Sequence, residues 1–151
     1  MLQLAQPKDR EAVNRLALQV HALHVAWRPD IFSMTDELFS EEKFLCAIAN
    51  RELFVAKLED QVVGYAVLQI KDYDWPGVVR RKVMVVEQVC VEEALRGHGI
   101  GTVMMEDVHS LAKAFGCTDL QLSAYPQNDE AIGFYQKCGF TIRCISMQRK
   151  V

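Results

Sequence analysis

The chain is short of the features that mark a disulfide scaffold, a metal-stapled domain or a membrane protein. Its five cysteines (Cys46, Cys90, Cys117, Cys138 and Cys144) are odd in number, scattered, and form no Cys-x-x-Cys pair. That argues against a disulfide framework and a zinc site and fits a reducing compartment. No apolar run approaches the roughly 20 residues of a membrane span. The stretch MLQLAQPKDREAV lacks the basic and apolar regions of a signal peptide, so a cytoplasmic protein is expected. An excess of one charge is also missing. With a net charge of -3 over 151 residues, neither nucleic acid nor an anionic membrane has an electrostatic claim on the chain. There are no repeats, low-complexity tracts or linkers, which leaves one domain over residues 1–151, long enough to bury a sizeable core.

What is present reads as a mixed α/β order. LQLAQ suits a short strand, and Pro7 suits the first position of a helix. Val13, Leu16, Ala17, Val20, Leu23, His24 and Trp27 follow at helical spacing until Pro29. A second helix is expected over 37–49. ELFVAKLEDQVVGYAVLQIK reads as two strands joined at Glu59-Asp60-Gln61, with Gly64 a bulge candidate and DYDWPG a loop. KVMVVEQVCV is a strand apolar enough to be buried on both faces. A helix with Ile100, Val103, Met104, Val108, Leu111, Ala112 and Phe115 inward comes next and stops at Gly116. DLQLSAY is a strand, Asn128 or Asp129 caps a short helix closed by Gly139, and FTIRCISMQRK is expected to close the sheet as a strand.

Between the apolar strand and the long helix lies RGHGIG, with Gly97, Gly99 and Gly101 at alternate positions. Glycines there imply a backbone conformation or a close approach that a side chain would forbid. A Gly-rich turn opening a helix is a natural anion site, because free N–H groups and the positive end of the dipole converge on it. Two phosphate-binding patterns fail. No Lys stands where G-x-x-x-x-G-K-[ST] needs one, and Thr102 occupies the third position of G-x-G-x-x-G. A helix start with no ligand remains open on these residues alone.

Arg96-Gly97-His98-Gly99-Ile100-Gly101 spells R-x-x-G-x-G after the strand VEQVCV, and NDEAIGFYQKCGF follows at the matching distance. Together they resemble the GNAT superfamily of acyl-CoA-dependent N-acetyltransferases, which carries [Q/R]-x-x-G-x-[G/A] after its fourth strand and N-x-x-A-x-x-F-Y-x-x-x-G-F further on. The resemblance covers essentially the whole chain and implies a single acetyltransferase domain over residues 1–151. The implied fold is α/β (α+β): a mixed central sheet with two strands splayed apart, flanked by helices. It implies acetyl-CoA as acyl donor and no metal, with the pyrophosphate held by the backbone of Arg96, Gly97, His98, Gly99, Ile100 and Gly101 and by Thr102. The pantetheine arm is expected along Val89, Cys90 and Val91, the N–H of Val91 serves as an oxyanion donor, and Asn128 is a further contact. A longer acyl-CoA is not distinguished.

Glu87, a carboxylate within the apolar strand, matches the family's general base; strand alternation would put it on one face with Val89 and Val91. The competing role is an ion pair with Arg80 or Arg81. Tyr135 matches the general acid, where helix periodicity alone would make it a core residue. His21 and His24 spell a metal half-site without a third ligand. With Trp27, Phe32, Asp74 and Trp75 they are expected to line the acceptor side, where aromatics and carboxylates together suit a small cationic amine. The expected activity is direct acetyl transfer to a primary amine on a small molecule or peptide, in a monomer or homodimer, without nucleic acid or membrane. A CoA-binding regulatory module is the alternative.

Overall fold

The computed structural model describes residues 1–151. In chain order it runs β1 (Leu2–Leu4), α1 (Arg10–Trp27), α2 (Glu41–Ala49), β2 (Leu53–Leu58), β3 (Gln61–Tyr73), β4 (Arg81–Val91), α3 (Ile100–Ala114), β5 (Asp119–Leu122) and α4 (Asp129–Lys137). The strands form one sheet in the order β1-β2-β3-β4-β5. Every neighbouring pair is antiparallel except β4 and β5, which are parallel. The expected mixed sheet flanked by helices is therefore the observed fold.

Period-two alternation divides the sheet between two cores. Leu53, Val55, Tyr65 and Cys90 pack with Val13, Leu16 and Ala17 of α1 and with Phe39 and Phe44. Phe54, Ala66, Leu68, Met84 and Val86 pack on the other face with Met105, Val108 and Ala112 of α3. Phe134 and Tyr135 of α4 close that side. No helix is long and apolar enough to cross a membrane.

Some local expectations hold and others are corrected. Pro7 opens a 3-10 turn over Pro7–Asp9 rather than α1 itself, with the Asp9 carboxylate accepting from the Gln6 N–H at 2.9 Å. The second helix starts at Glu41, not at Glu37, because Ser40 caps it by accepting from the Lys43 N–H at 3.2 Å. Residues 37–39 are drawn to α1 instead: the Asn14 Oδ1 accepts from the N–H groups of Leu38 and Phe39. In α3, Met105 is buried, while Val103 and Phe115 face outward. Glu59 and Asp60 turn the β2–β3 hairpin with φ of 47° and 65°. The bulge expected near Gly64 is present, since Ala56 pairs with Gly64 but Lys57 with Val62. Gly64 is also a close approach, because a Cβ there would lie 2.8 Å from the Cys90 carbonyl oxygen and from the Met104 Sδ. The strand expected over FTIRCISMQRK does not form: residues 140–151 have no regular secondary structure, and all from Thr141 onward are exposed. They find no partner strand within the chain.

Candidate active site

The site begins where the sheet opens. β4 pairs with β5 only over Val83–Val86 against Asp119–Leu122, while its pairing with β3 continues to Val91. Residues 87–91 therefore keep one free backbone edge, which is the expected splay. The Glu92 N–H donates to the Val63 carbonyl at 2.8 Å. By antiparallel alternation the N–H groups of Val91 and Val89 face away from β3, into the opening, and those of Cys90 face β3. Cys90 thus has no free edge to offer. Its thiol donates to the Leu16 carbonyl at 3.6 Å, and burial pushes its pKa up to about 11, so it sits as a small core residue.

The glycine loop bounds the opening. Gly97 and Gly99 have φ of 79° and 84°, and a Cβ on either would meet nothing within 4 Å. Both are backbone requirements on the open side of the loop. Gly99 is the N-cap of α3, and no side chain caps that helix. The first N–H groups, of Ile100, Gly101 and Thr102, are therefore free for an anion, and no acidic residue in the first turn competes. Gly101 serves a different purpose. A Cβ there would sit 3.1 Å from the Phe134 Cζ, so it lets α3 and α4 pack closely. Arg96 turns back to donate from Nε to the Val91 carbonyl at 3.1 Å. The His98 Nδ1 lies 3.0 Å from the Arg96 carbonyl oxygen and 3.3 Å from that of Leu95, bracing the loop from within. Asn128 caps α4 through Oδ1, accepting from the Ala131 N–H at 3.2 Å, which leaves its amide NH₂ to donate.

Glu87 departs from simple alternation. Val67 pairs with Gln88 and Leu68 with Val86, so Glu87 is the extra residue of a β-bulge. Both Glu87 and Gln88 consequently open onto the α2 side of the sheet, and Glu87 does not share a face with Val89 and Val91. Its ion pair is with Lys71 Nζ at 3.5 Å. Arg80 and Arg81 pair instead with Asp74 and Asp119. The cleft that Glu87 enters has a volume of about 570 Å³. Glu42, Glu52, Gln69 and Phe39 line it, and the Tyr65 hydroxyl donates to the Gln88 Oε1 at 2.9 Å beside it. Sequence reasoning missed Glu42, Glu52 and Gln88, since only the bulge and the seat of α2 bring them to Glu87.

Tyr135 sits against Phe134 and Phe140, with ring centroids 5.4 and 5.9 Å away. Burial, with the Cys138 and Cys90 thiols adding to it, pushes its pKa up to about 12. The phenol therefore stays protonated at neutral pH and is available as a donor.

The expected acceptor residues fall into two groups. Phe32 stacks on His24 at 5.2 Å and meets His21 edge-on at 6.0 Å, and Trp27 lies 5.8 Å from His24. Tyr125, just beyond β5, joins this cluster at 5.6 Å from His24. It too was missed, although it stands in the stretch DLQLSAY. The His21 Nε2 is 2.7 Å from the Ser33 carbonyl oxygen, and burial followed by the nearby His21 lowers the pKa of His24. Asp74 and Trp75 lie in the β3–β4 hairpin, where Asp74 pairs with Arg80 and Trp75 packs 5.1 Å from Tyr73. Their partners are thus within the hairpin and not in the histidine cluster.

Comparison with known proteins agrees with this fold. The Acetyltransferase (GNAT) family pattern matches residues 18–140. The chain is 30% identical over 129 residues to the thialysine N-epsilon-acetyltransferase of Bos taurus, covering 83% of this chain and 69% of that protein. It is also 30% identical over 88 residues to an uncharacterized N-acetyltransferase of Methanocaldococcus jannaschii, covering 58% of this chain and only 38% of that protein. A mutant of the BH1408 protein of Bacillus halodurans superposes with a TM-score of 0.95 at 29% identity, over 100% of this chain and 99% of that one. An aminoglycoside N-acetyltransferase solved with CoA shares the fold, with a TM-score of 0.71 at 15% identity over the full length of both chains. The chain belongs to the acetyltransferase (GNAT) family.

Proposed function

We propose that the protein transfers the acetyl group of acetyl-CoA directly to a primary amine. The observation that carries this reading is the one-sided half of β4. Within five residues it turns the Glu87 carboxylate toward one cleft and the Val91 N–H toward the opening beside β5. The free first turn of α3 and the left-handed Gly97 and Gly99 fit the diphosphate of CoA.

In this mechanism Glu87 takes a proton from the attacking amine, directly or through water. The Val91 N–H donates to the thioester oxygen as negative charge builds there. A C–N bond forms, the C–S bond breaks, and the Tyr135 hydroxyl donates its proton to the departing thiolate. No acyl-enzyme is needed, in keeping with the buried Cys90.

The acceptor is a small cationic amine entering from the α2 side. Glu42, Glu52 and Glu87 supply carboxylates there, against Lys43 in the cleft wall and the Lys71 partner of Glu87. Relatives named for thialysine and aminoglycoside acetylation support an amine acceptor. Unpaired thiols go with a cytoplasmic location, and a homodimer is part of the same reading.

An acceptor screen following thiol release tests the proposal. Polyamine-, aminoglycoside- or lysine-like amines should be the best acceptors, and Glu87→Gln should flatten the acidic limb of the pH–rate profile. Glu42→Gln with Glu52→Gln should raise the acceptor KM and leave that of acetyl-CoA unchanged. If Asp74→Asn and Trp75→Ala do this instead, the acceptor lies at the β3–β4 hairpin. CoA binding without thiol release for any amine would make the protein a binding module.

A further inference from the structure

The proposed base already has an amine of its own chain beside it. The Lys71 Nζ stands 3.5 Å from the Glu87 Oε1. A primary amine thus lies within reach of the carboxylate that would take a proton from an attacking nitrogen. Two features of the sheet bring the pair together. Alternation along β3 puts Lys71 on one face with Tyr65, Val67 and Gln69, and that face packs under α1 and α2. The bulge in β4 turns Glu87 to the same side.

Neither side chain is locked there. Lys71 and Glu87 are 49% and 39% exposed, and an ion pair this open to water holds its partners weakly. The flexible four-carbon stem of Lys71 can therefore carry its nitrogen away from Glu87 and back. Other lysines have different partners. The Lys43 Nζ donates to the Leu38 carbonyl at 3.2 Å and lies over the Phe39 ring, and Lys57 pairs with Asp9 at 2.9 Å.

We propose that Lys71 is itself an acetyl acceptor, modified by its own chain when no amine is bound. The inference rests on the reading of Glu87 as the base. Glu87 takes one proton from the Lys71 ammonium and passes it to water. The nitrogen bonds to the acetyl carbon of acetyl-CoA as the C–S bond breaks. It sheds a second proton, which matches the one taken up by the departing thiolate. The products are a neutral amide on Lys71 and free CoA. The modified side chain no longer pairs with Glu87 as a cation, and it fills the place that an acceptor's nitrogen needs.

Incubation with acetyl-CoA and no amine, followed by peptide mass spectrometry, should find one acetyl group on Lys71. Its rate should not depend on protein concentration, as transfer within one chain requires. Glu87→Gln should slow it about 10²–10⁴-fold, whereas uncatalysed acetylation would be unchanged. In Lys71→Arg, which keeps a cation beside Glu87, thiol release without an acceptor should disappear. A saturating amine acceptor should slow the modification of the wild-type chain, an arm that needs no variant to fold. If Lys71 stays unmodified while an added amine is acetylated, the inference falls and acetyl transfer stands. An equal yield on Lys71 in Glu87→Gln would overturn it too, as would a rate that rises with protein concentration. If neither Lys71 nor any amine takes an acetyl group, both the inference and acetyl transfer fail.

Discussion

The two halves of β4 are built from the same kind of sequence and do opposite work. Over Val83–Val86 the strand is bonded to β3 on one side and to β5 on the other, with Val83, Met84 and Val86 buried. Over Glu87–Val91 it is bonded to β3 alone and carries a bulge. The closed half satisfies its backbone within the sheet and has nothing left for a ligand. The open half leaves N–H groups unspent, which is a structural cost unless something pairs with them, as the proposed CoA arm would.

The largest expected effect lies beside the open half. If Tyr135 protonates the leaving thiolate, Tyr135→Phe should lower kcat about 10²–10⁴-fold while acetyl-CoA affinity barely changes. Thiol release under saturating substrates measures this. A wild-type rate would reduce Tyr135 to a packing residue between Phe134 and Phe140.

The closed half should respond in stability instead. Met84 is 2% exposed, and Met84→Ala should cost about 2–5 kcal/mol in urea unfolding through the cavity it leaves. Val89 is only half-buried, so Val89→Ala should cost less and act mainly on CoA affinity. Equal losses of stability at the two positions would erase the distinction between the halves.

The smallest effect sharpens the comparison at the loop. Gly99→Val places a β-branched side chain at φ 84°, a strain of roughly 1–2 kcal/mol, and fills the open side of the loop. CoA affinity in calorimetric titration should fall while the protein stays folded. Gly101→Val should first disturb the seat of α3 against Phe134 and lower the melting temperature. The same ranking of CoA affinity and stability in both variants would mean that the two glycines do one job.

Much of this was legible in the sequence because it depends on neighbours along the chain. Helical spacing, Asn128 as a cap and the run of glycines before α3 are local, and local sterics and capping decide them. The two spelled motifs likewise carried the family resemblance. Tertiary structure decided what local rules cannot reach. Alternation put Glu87 with Val89 and Val91, but a bulge spends one extra residue against β3 and turns Glu87 toward α2. The Phe39 segment looked helical until Asn14 captured its backbone. Gly101 read as a glycine of the anion loop, and only packing showed that its missing side chain also makes room for Phe134 of α4. FTIRCISMQRK has the composition of a strand, yet composition supplies no pairing, and the segment bonds to no strand of the sheet. The sequence by itself determined which segments could pair or coil and which loop could take an anion. The packing of distant elements decided which face each side chain met and which backbone edges were left open, because those depend on what lies across the sheet.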